Sequence, residues 1–318
     1  MRQRLLIPIV TAGFLALAAC DIQDFNIGDG QIGRYNQDFH YSFPLKSTGR
    51  LSVESFNGSV EISGWERDEV DISGTKYAST QQRADDLKIE TSNTPESVSV
   101  RAIRPSEWRS NLGARFVIKI PRGAMIDRIT TSNGAIRISD GAGPAHLRTS
   151  NGGVRVEGLH GTLDAQTSNG GIDLLDVDGD VVAHTSNGHI HGQGLRGGFD
   201  VHTSNGGINA KIERADHSVR AETSNGSVDL TLPADLSSDV RASSSNSGIT
   251  VRLPASINAR VLARTSNSSV TTDFDLKIHG DIAKNHLDGA IGSGAGPLID
   301  LSTSNGGIHL MKSTAVDR

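Results

Sequence analysis

The sequence predicts an all-β protein, a single-stranded parallel β-helix (β-solenoid) with about 18–21 residues in each coil. Three observations predict this class: a Thr-Ser-Asn-Gly tetrapeptide recurs at a short interval, apolar residues keep the same places in every copy, and a second, glycine-containing turn separates the copies. Self-similarity of this kind is typical of solenoids, in which each coil packs only on its neighbours. The general preference for right-handed crossovers between parallel strands predicts right-handed coils.

The tetrapeptide supplies a corner of each coil. Asn133 and Asn151 stand eighteen residues apart in consecutive copies, and weaker copies precede and follow them. The aligned column comprises Asn57, Asn133, Asn151, Asn169, Asn187, Asn205, Asn225, Asn246, Asn267 and Asn305. An amide at a corner can hydrogen-bond the amide of the next coil, so we interpret the column as a structural ladder rather than a binding strip. Because Asn and Gly tolerate left-handed backbone angles, we expect such angles in the bend.

Apolar columns on both sides of the corner predict two strands in each coil. Three and five residues after Asn169 stand Ile172 and Leu174, and four and six residues before it stand Ala165 and Leu163. This alternation predicts strands with one buried face. An Asn-Gly pair could also mark a two-residue antiparallel hairpin. Parallel coils are favoured because like residues occupy like places through successive copies, and the uneven spacing of the apolar residues excludes a left-handed hexapeptide helix.

The chain begins with a predicted lipoprotein signal peptide, residues 1–19. Arg2 and Arg4 precede an apolar stretch that is too short for a good membrane span. The stretch ends in Leu-Ala-Ala-Cys, which resembles a bacterial lipobox and implies cleavage before Cys20 and attachment of acyl chains such as palmitate to it. The alternative is an ordinary cleavable signal followed by a chance cysteine. Cys20 is the only cysteine, so no intrachain disulfide can form.

Composition divides the mature chain into a tether, a solenoid and a tail. Residues 20–40 contain the lipidated cysteine and a flexible tether rich in Asp, Asn, Gln and Gly. The predicted solenoid has degenerate N-terminal coils at 41–125, regular coils at 126–272, and C-terminal coils with a cap at 273–312. Residues 313–318 form the tail.

The pattern breaks near both ends of the solenoid. Residues 79–87 could form a short helix or a long loop, and Trp108 lies outside every core column. Thr91-Ser92-Asn93, two periods after Asn57, is interpreted as a further corner. Residues 273–297 depart from the repeat pattern for the length of one coil. Residues 301–312 are expected to return to register and close the stack. Terminal coils are expected to be atypical because they must cover exposed core and sheet edge.

The charge of the chain argues against nucleic acid as a partner. The formal net charge is −5, and removal of Arg2 and Arg4 with the signal peptide changes it to about −7. No basic patch is evident. Aromatic residues make up only 4% of the chain, which suits thin coils filled by small aliphatic side chains.

Two groups of side chains are weak candidates for a metal site. Asp176, Asp178 and Asp180 crowd three carboxylates into one turn, as calcium loops do. His184 and His202 share a column and should stack about 4.8 Å apart, and imidazoles suit zinc or copper. However, the acidic turn lacks the EF-hand pattern and does not repeat. The histidine column otherwise holds Arg148, Gln166 and Glu222. We therefore expect neither a metal nor a cofactor.

The outward positions four residues after the Asn show no catalytic pattern. They are Arg137, Arg155, Asp173, His191, Asn209 and Asp229. A glycan-cleaving site would require a pair of carboxylates, and a serine nucleophile would require an elbow motif. Neither stands out, so we predict that the chain is not an enzyme.

Three segments carry a family resemblance. They are Gly64-Trp65-Glu66-Arg67-Asp68-Glu69-Val70 after the strand at 60–62, the repeated tetrapeptide, and the ending from Ile291-Gly292-Ser293-Gly294 through Thr303-Ser304-Asn305-Gly306-Gly307-Ile308. Over residues 40–312 the chain resembles a bacterial β-strand-repeat lipoprotein family of unknown function, often labelled adhesin by provisional assignment. The resemblance implies an envelope protein with a right-handed β-helix, and it implies no catalytic residues.

These observations predict a non-enzymatic envelope lipoprotein that presents a rigid solenoid as a binding or scaffolding surface. The expected partners are the membrane, through the lipidated N-terminus, and an unidentified envelope protein or glycan, with no nucleic acid. One alternative is a structural or envelope-stress-sensing protein of the periplasm, since Asp21 after the cysteine resembles an inner-membrane retention signal. A glycan-active β-helix enzyme is a third reading. The expected location is the periplasmic face of a membrane or the cell surface.

Overall fold

The computed structural model describes residues 35–105, 111–278 and 283–313. The predictions for the signal peptide, for Cys20 and Asp21, for most of the tether, for Trp108 and for the tail after Ser313 lie outside these residues. Within them the fold is all-β, as predicted, with a single short helix.

Strands of three to ten residues alternate with tight turns along the described chain. The first strands, with the helix, are β1 (Tyr35–Pro44), β2 (Arg50–Glu54), β3 (Val60–Trp65), β4 (Glu69–Ala78), α1 (Gln81–Asp86), β5 (Lys88–Thr94), β6 (Ser97–Ile103), β7 (Gly113–Pro121), β8 (Met125–Thr130) and β9 (Ile136–Ala142). The middle strands are β10 (Ala145–Arg148), β11 (Val154–His160), β12 (Leu163–Gln166), β13 (Ile172–Asp178), β14 (Val181–Thr185), β15 (Ile190–Arg196), β16 (Phe199–Thr203), β17 (Ile208–Arg214), β18 (Val219–Thr223) and β19 (Val228–Thr231). The last strands are β20 (Val240–Ser244), β21 (Ile249–Leu253), β22 (Ala259–Thr265), β23 (Val270–Thr272), β24 (Leu276–Ile278), β25 (His286–Ile291), β26 (Leu298–Thr303) and β27 (Ile308–Lys312).

Two parallel ladders of strands run the length of the stack, one before and one after the coil corners. The ladder before the corners, named here the entry ladder, has the order β6, β2, β8, β10, β12, β14, β16, β18, β20, β26 and β22. The exit ladder after the corners has the order β7, β3, β9, β11, β13, β15, β17, β19, β21, β27 and β23. This confirms the predicted β-solenoid, while the right hand of its coils stays a prediction.

The predicted apolar columns form the core between the two ladders. Leu163, Ala165, Ile172 and Leu174 are at most 2% exposed. Burying such side chains stabilises the fold by about 1.5–3 kcal/mol for each Leu or Ile. In the last coil Val270 and Thr272 are only partly buried, because their strand β23 pairs on one edge with β27 and ends the exit ladder.

The threonine of each corner joins its coil to the preceding one. The hydroxyl of Thr149 donates to the carbonyl of Gly134 at 2.9 Å and accepts from the backbone N–H of Gly152 at 3.3 Å. The same donation recurs at Thr167, Thr185, Thr203, Thr223, Ser244 and Thr265. Because these hydroxyls are largely buried, each pairing avoids the cost of an unsatisfied polar group.

The glycine of each corner is required for close stacking and not for a left-handed backbone. A Cβ at Gly152 would lie 2.0 Å from the carbonyl oxygen of Gly134, and one at Gly188 would lie 1.8 Å from that of Gly170. Neither glycine has a positive φ, nor does any Asn of the column. The left-handed bend expected from the Asn-Gly pairs is therefore wrong for the regular coils. Gly58, with φ of 111°, is the exception in the first corner.

The asparagine side chains form a continuous chain of amide hydrogen bonds. The Nδ2 of Asn151 donates to Oδ1 of Asn133 at 2.6 Å, and the Nδ2 of Asn169 donates to Oδ1 of Asn151 at 2.7 Å. The remaining members of the column continue this pattern with distances of 2.5–2.9 Å. The order along the ladder departs from chain order at its end, where Asn305 lies between Asn246 and Asn267.

The N-terminal region differs from the predicted run of degenerate coils. The coil β2–β3 lies between the later coils β6–β7 and β8–β9, while β1, β4 and β5 pair antiparallel. Thr91-Ser92-Asn93 is not a corner, because it lies within β5 and pairs with β6. Antiparallel strands occupy this end because the first parallel strands would otherwise expose their hydrogen-bonding edges. Residues 81–86 form α1, whose first turn is capped by the hydroxyl of Thr80.

The C-terminal region also departs from the expected order. The coil β26–β27 does not close the stack but lies between the coils β20–β21 and β22–β23, with parallel partners on both sides. The segment between Asp273 and Pro297 supplies β25, which pairs antiparallel with β22, and β24, which pairs with β25. Antiparallel strands thus cover the last strand of the entry ladder, and the chain then returns into the stack.

Candidate functional site

Asp176 lies on a bend inside the exit ladder. Asp140, Gly158, Asp176 and Gly194 have φ of 55°, 66°, 50° and 69° and recur at the same place in successive coils. Asp and Gly alternate because the Asp side chain lies against the equivalent residue of the next coil. A Cβ at Gly194 would lie 2.3 Å from Oδ1 of Asp176. The backbone conformation thus explains why an Asp stands at this place.

The other two carboxylates of the acidic turn have separate partners. Asp178 forms an ion pair with Arg214 at 3.0 Å, and the pKa of Arg214 is raised by Asp216 and then by Asp178. Asp180 accepts from the backbone N–H of Gly198 at 2.7 Å and lies 2.9 Å from His217.

These contacts of Asp180 lower its pKa, the Gly198 hydrogen bond having the larger effect and His217 the smaller. Nowhere in the described residues do three or more His, Cys, Asp or Glu side chains gather closely enough to hold a metal ion. The three carboxylates of the acidic turn are therefore used by the coils themselves.

His184 and His202 are neighbours in the entry ladder, as their shared column predicts, but their rings do not stack at the expected distance of about 4.8 Å. Their strands pair in register, and the ring centroids lie 6.3 Å apart with the planes inclined by 54°. Both side chains are exposed on the outer face.

The outer face of the entry ladder carries a long polar groove of about 590 Å³. We name it the serine groove, because the serine of each corner forms one wall. Its residues are Thr130, Thr131, Ser132, Arg148, Thr149, Ser150, Gln166, Thr167, Ser168, His184, Thr185, Ser186, His202 and Ser204. The buried corner threonines form the floor, and the column that ends at His202 forms the opposite wall.

A second depression of about 770 Å³ adjoins the serine groove and shares Thr130 and Arg148 with it. Its lining has mixed charge: Arg101 pairs with Glu54 at 2.9 Å, whereas Arg128 has no ion pair or hydrogen-bond partner among the described side chains. The two depressions together cover the entry face from β6 to β16.

The outer face of the exit ladder holds a smaller depression of about 370 Å³ around Asp173, His189, His191 and Asp229. Its charges are paired: His189 lies 3.2 Å from Asp173, and Arg252 binds Asp229. Further along this face Arg137 pairs with Glu61 at 3.1 Å.

From the sequence, the serines that line the groove are considered only as nucleophiles, and no binding role is predicted for them. The available signal is positional: the residue before each regular corner Asn is Ser, and among the described residues the hydroxyls of these serines have no hydrogen-bond partner. The groove itself arises only when coils stack, so no single repeat reveals it.

One comparison with known proteins shows a family. The Toastrack DUF4097 family matches residues 48–284. No match was found among curated proteins. In the described part of the chain no helix is long and apolar enough to cross a membrane.

Solved structures of provisionally assigned adhesion proteins also match at low identity. A provisionally assigned adhesin from Bacteroides fragilis is 11% identical to this chain. The TM-score is 0.34, and the match covers 87% of this chain and 97% of the adhesin. Another from Parabacteroides distasonis is 9% identical, with a TM-score of 0.34 and the same coverage. A provisionally assigned cell adhesion protein from Clostridium sporogenes is 10% identical to this chain. The TM-score is 0.25, and the match covers 87% of this chain and 100% of the Clostridium protein.

Proposed function

The chain belongs to the Toastrack DUF4097 family, and from that premise we propose that it is a non-enzymatic envelope lipoprotein that presents its solenoid as a binding surface. The acyl anchor would be Cys20, and the displayed surface would be the outer faces of the two ladders. On a cell surface such a protein would act as an adhesin.

The observation that carries this proposal is a constant frame with variable outward side chains. At the corners, the threonine hydroxyls, asparagine amides and glycines repeat the same contacts from coil to coil. Outside, neighbouring positions of one exit column change from Arg155 to Asp173 to His191. Varied side chains on a rigid scaffold are the usual arrangement of a recognition surface, because little ordering entropy is lost when a ligand binds.

The sequence supports the anchor. The lipobox-like ending at Cys20 and the polar tether of 21–40 would hold the solenoid at a short distance from a membrane. Two or three acyl chains on one residue give stable attachment, whereas a single chain gives only reversible binding.

The ion pairs of the outer faces support a role other than catalysis. Arg137 with Glu61, Arg196 with Glu213 and Arg214 with Asp178 join side chains of different coils. Charges engaged in this way tie neighbouring coils together, and an acid or base must instead be free to exchange a proton with a substrate.

A periplasmic scaffold or envelope-stress sensor is the second candidate, favoured by one residue. Asp21 follows the lipidated cysteine, where it resembles an inner-membrane retention signal. In that case the binding surface would face an envelope protein inside the cell wall rather than a host or a neighbouring cell.

The deciding experiment compares protease digestion of intact and permeabilised cells, with membrane fractionation of the wild type and of Cys20→Ala. We expect the wild type in the membrane fraction and Cys20→Ala in the soluble fraction. Digestion on intact cells would support an adhesin, and protection until permeabilisation would support the periplasmic scaffold. A wild-type chain that stays soluble would contradict the anchored lipoprotein in either form.

A further inference from the structure

We propose that the serine groove binds a linear acidic polysaccharide, a chain of sugar rings that carry carboxylates. The inference rests on the proposed function, because it names the ligand class for one part of the binding surface. Three properties of the groove carry it: a row of available hydroxyls, a guanidinium whose one ion pair is long, and a repeat distance close to that of the rings of an extended polysaccharide.

The row of hydroxyls is the first property. The serines at the wall are Ser132, Ser150, Ser168, Ser186 and Ser204. Their side chains are exposed or half-buried, and within the described residues none of their hydroxyls has a hydrogen-bond partner. A hydroxyl both donates and accepts, so a row of them suits a ligand whose own groups are mostly hydroxyls.

The charge of the groove is the second property. The chain has 36 acidic and 31 basic residues, yet no Asp or Glu lines the serine groove. Arg148 is 60% exposed, and its nearest carboxylate, Asp164, lies 4.0 Å away.

Asp164 is also shared with other groups, since Gln166 donates to it at 3.1 Å and His146 lies 3.5 Å from it. Arg148 therefore keeps a largely uncompensated charge, and its planar fork fits a carboxylate. Arg128, in the adjoining depression, places a second guanidinium near the same end of the groove.

The spacing is the third property. Neighbouring parallel strands lie about 4.8 Å apart, so the five serines span about 19 Å. The rings of an extended polysaccharide advance by a similar distance, and a repeating ligand would therefore place equivalent groups opposite successive serines. An isolated sugar would use only one or two of these positions.

The far end of the groove limits the ligand. His184 and His202 present imidazole edges that can donate or accept hydrogen bonds to sugar hydroxyls. The next residue of their column is Glu222, which pairs with Arg220 at 2.9 Å. Arg241 lies 3.8 Å from the same carboxylate, so these charges satisfy one another. The lining of the groove ends at His202 and Ser204, and we therefore expect the ligand to extend from Arg148 towards His202 and no further.

The test is calorimetric titration of the full mature chain in detergent with three probes: a hexameric oligouronate, a neutral glucose hexamer, and linear polyphosphate of similar length. We expect the oligouronate to bind most tightly, with affinity that rises with chain length up to about five sugars, one for each coil of the groove. Arg148→Gln should weaken oligouronate binding about tenfold, as loss of a charge-assisted hydrogen bond does. The matched control is Arg155→Gln, because Arg155 is 50% exposed and 3.7 Å from Glu157 on the other face.

A second variant tests the hydroxyl row separately. Replacing Ser150, Ser168 and Ser186 together by Ala should weaken oligouronate binding about tenfold with an unchanged melting temperature, because these hydroxyls make no contact inside the fold. The proposal is overturned if the oligouronate does not bind at millimolar concentration, if polyphosphate or the neutral hexamer binds as tightly, or if Arg148→Gln behaves as Arg155→Gln does. Failure here would leave the cell-surface test untouched, since protease accessibility and anchoring do not depend on the groove.

Discussion

The threonine, asparagine and glycine of the corner tetrapeptide each contact the neighbouring coil in a different way. The regular spacing of the Asn residues predicts an amide ladder, and the amides do bond to one another. The reason for the glycine could not be derived from one repeat, because a Cβ at Gly152 would collide with the backbone of the preceding coil and not with its own. The turn propensity of a glycine concerns its own backbone angles. This glycine is required instead by the short distance between neighbouring coils.

The amide ladder predicts the effect of Asn169→Ala. The Asn169 side chain bonds to Asn151 and accepts from Asn187, at 2.7 and 2.8 Å. Removing both bonds at an exposed corner should lower the free energy of unfolding by about 1–2 kcal/mol and leave glycan binding unchanged. Urea denaturation measures the first effect, with Asn209→Ala as control because the Asn209 side chain is exposed and makes no hydrogen bond among the described residues. Equal stability of the two variants would contradict the ladder's structural role.

The stacked glycines predict a larger effect for Gly188→Ala. Its Cβ would lie 1.8 Å from the carbonyl oxygen of Gly170, so the coils must separate locally. We expect a loss of about 3 kcal/mol, at the upper end of overpacking costs. Gly207→Ala is the control, since its Cβ would meet Ser227 at an ordinary 3.5 Å. Thermal melting measures both variants, and equal decreases in the melting temperatures of Gly188→Ala and Gly207→Ala would exclude the stacking explanation.

The lowered pKa of Asp180 predicts a dependence of stability on pH. A carboxyl group whose pKa is lower in the folded state stabilises the fold above its ordinary pKa and loses that effect as the pH falls below about 4. Asp180→Asn should therefore be less stable than the wild type at pH 7, and the difference should shrink at about pH 3. The side chain is 47% exposed, so solvent reduces the effect to less than about 1 kcal/mol. Denaturation curves measure the difference, and the control is Asp200→Asn, at an exposed carboxylate with no ion-pair or hydrogen-bond partner among the described residues.

At the level of strands, the local pattern predicts register but not the order of the coils. The alternation of Ile308 and Leu310 is the same as that of Ile172 and Leu174, which identified a coil. Nothing in that alternation indicates that β27 lies between β21 and β23. Any coil with the right columns can occupy any place in a parallel stack, so the placement is decided by the connections. Here the antiparallel strands β24 and β25 direct the chain back into the stack.

This placement predicts the effect of removing β26 and β27. A chain that ends at Pro297 would leave β22 and β23 without their parallel partners. We expect hydrogen exchange to lose protection across 259–291 while the coils from β8 to β19 keep theirs. A chain that lacks only residues 314–318 is the control and should exchange as the wild type does. If the chain that ends at Pro297 kept its protection at 259–291, the coil β22–β23 would have to pack directly on β21, and the prediction would be wrong.

Across the whole molecule, the sequence predicts the frame better than the surface. The core is set by columns that recur at one interval, and those columns are visible in the sequence. The serine groove depends on which outward residues become neighbours after stacking, as Arg148, Gln166 and His184 do. Because the same residues look like an ordinary solvated column in a single coil, their joint chemistry appears only in three dimensions.

The intercalated C-terminal coil has a consequence for pulling forces. In a simple stack the last strand has one neighbour and can be peeled away bond by bond. Here β26 and β27 are each hydrogen-bonded along both edges. A protease or unfoldase that pulls on the C-terminal side must break the hydrogen bonds on both edges of β27, and then those on both edges of β26, before another coil is released. The coil β26–β27 is thus a poor place to begin unfolding the solenoid.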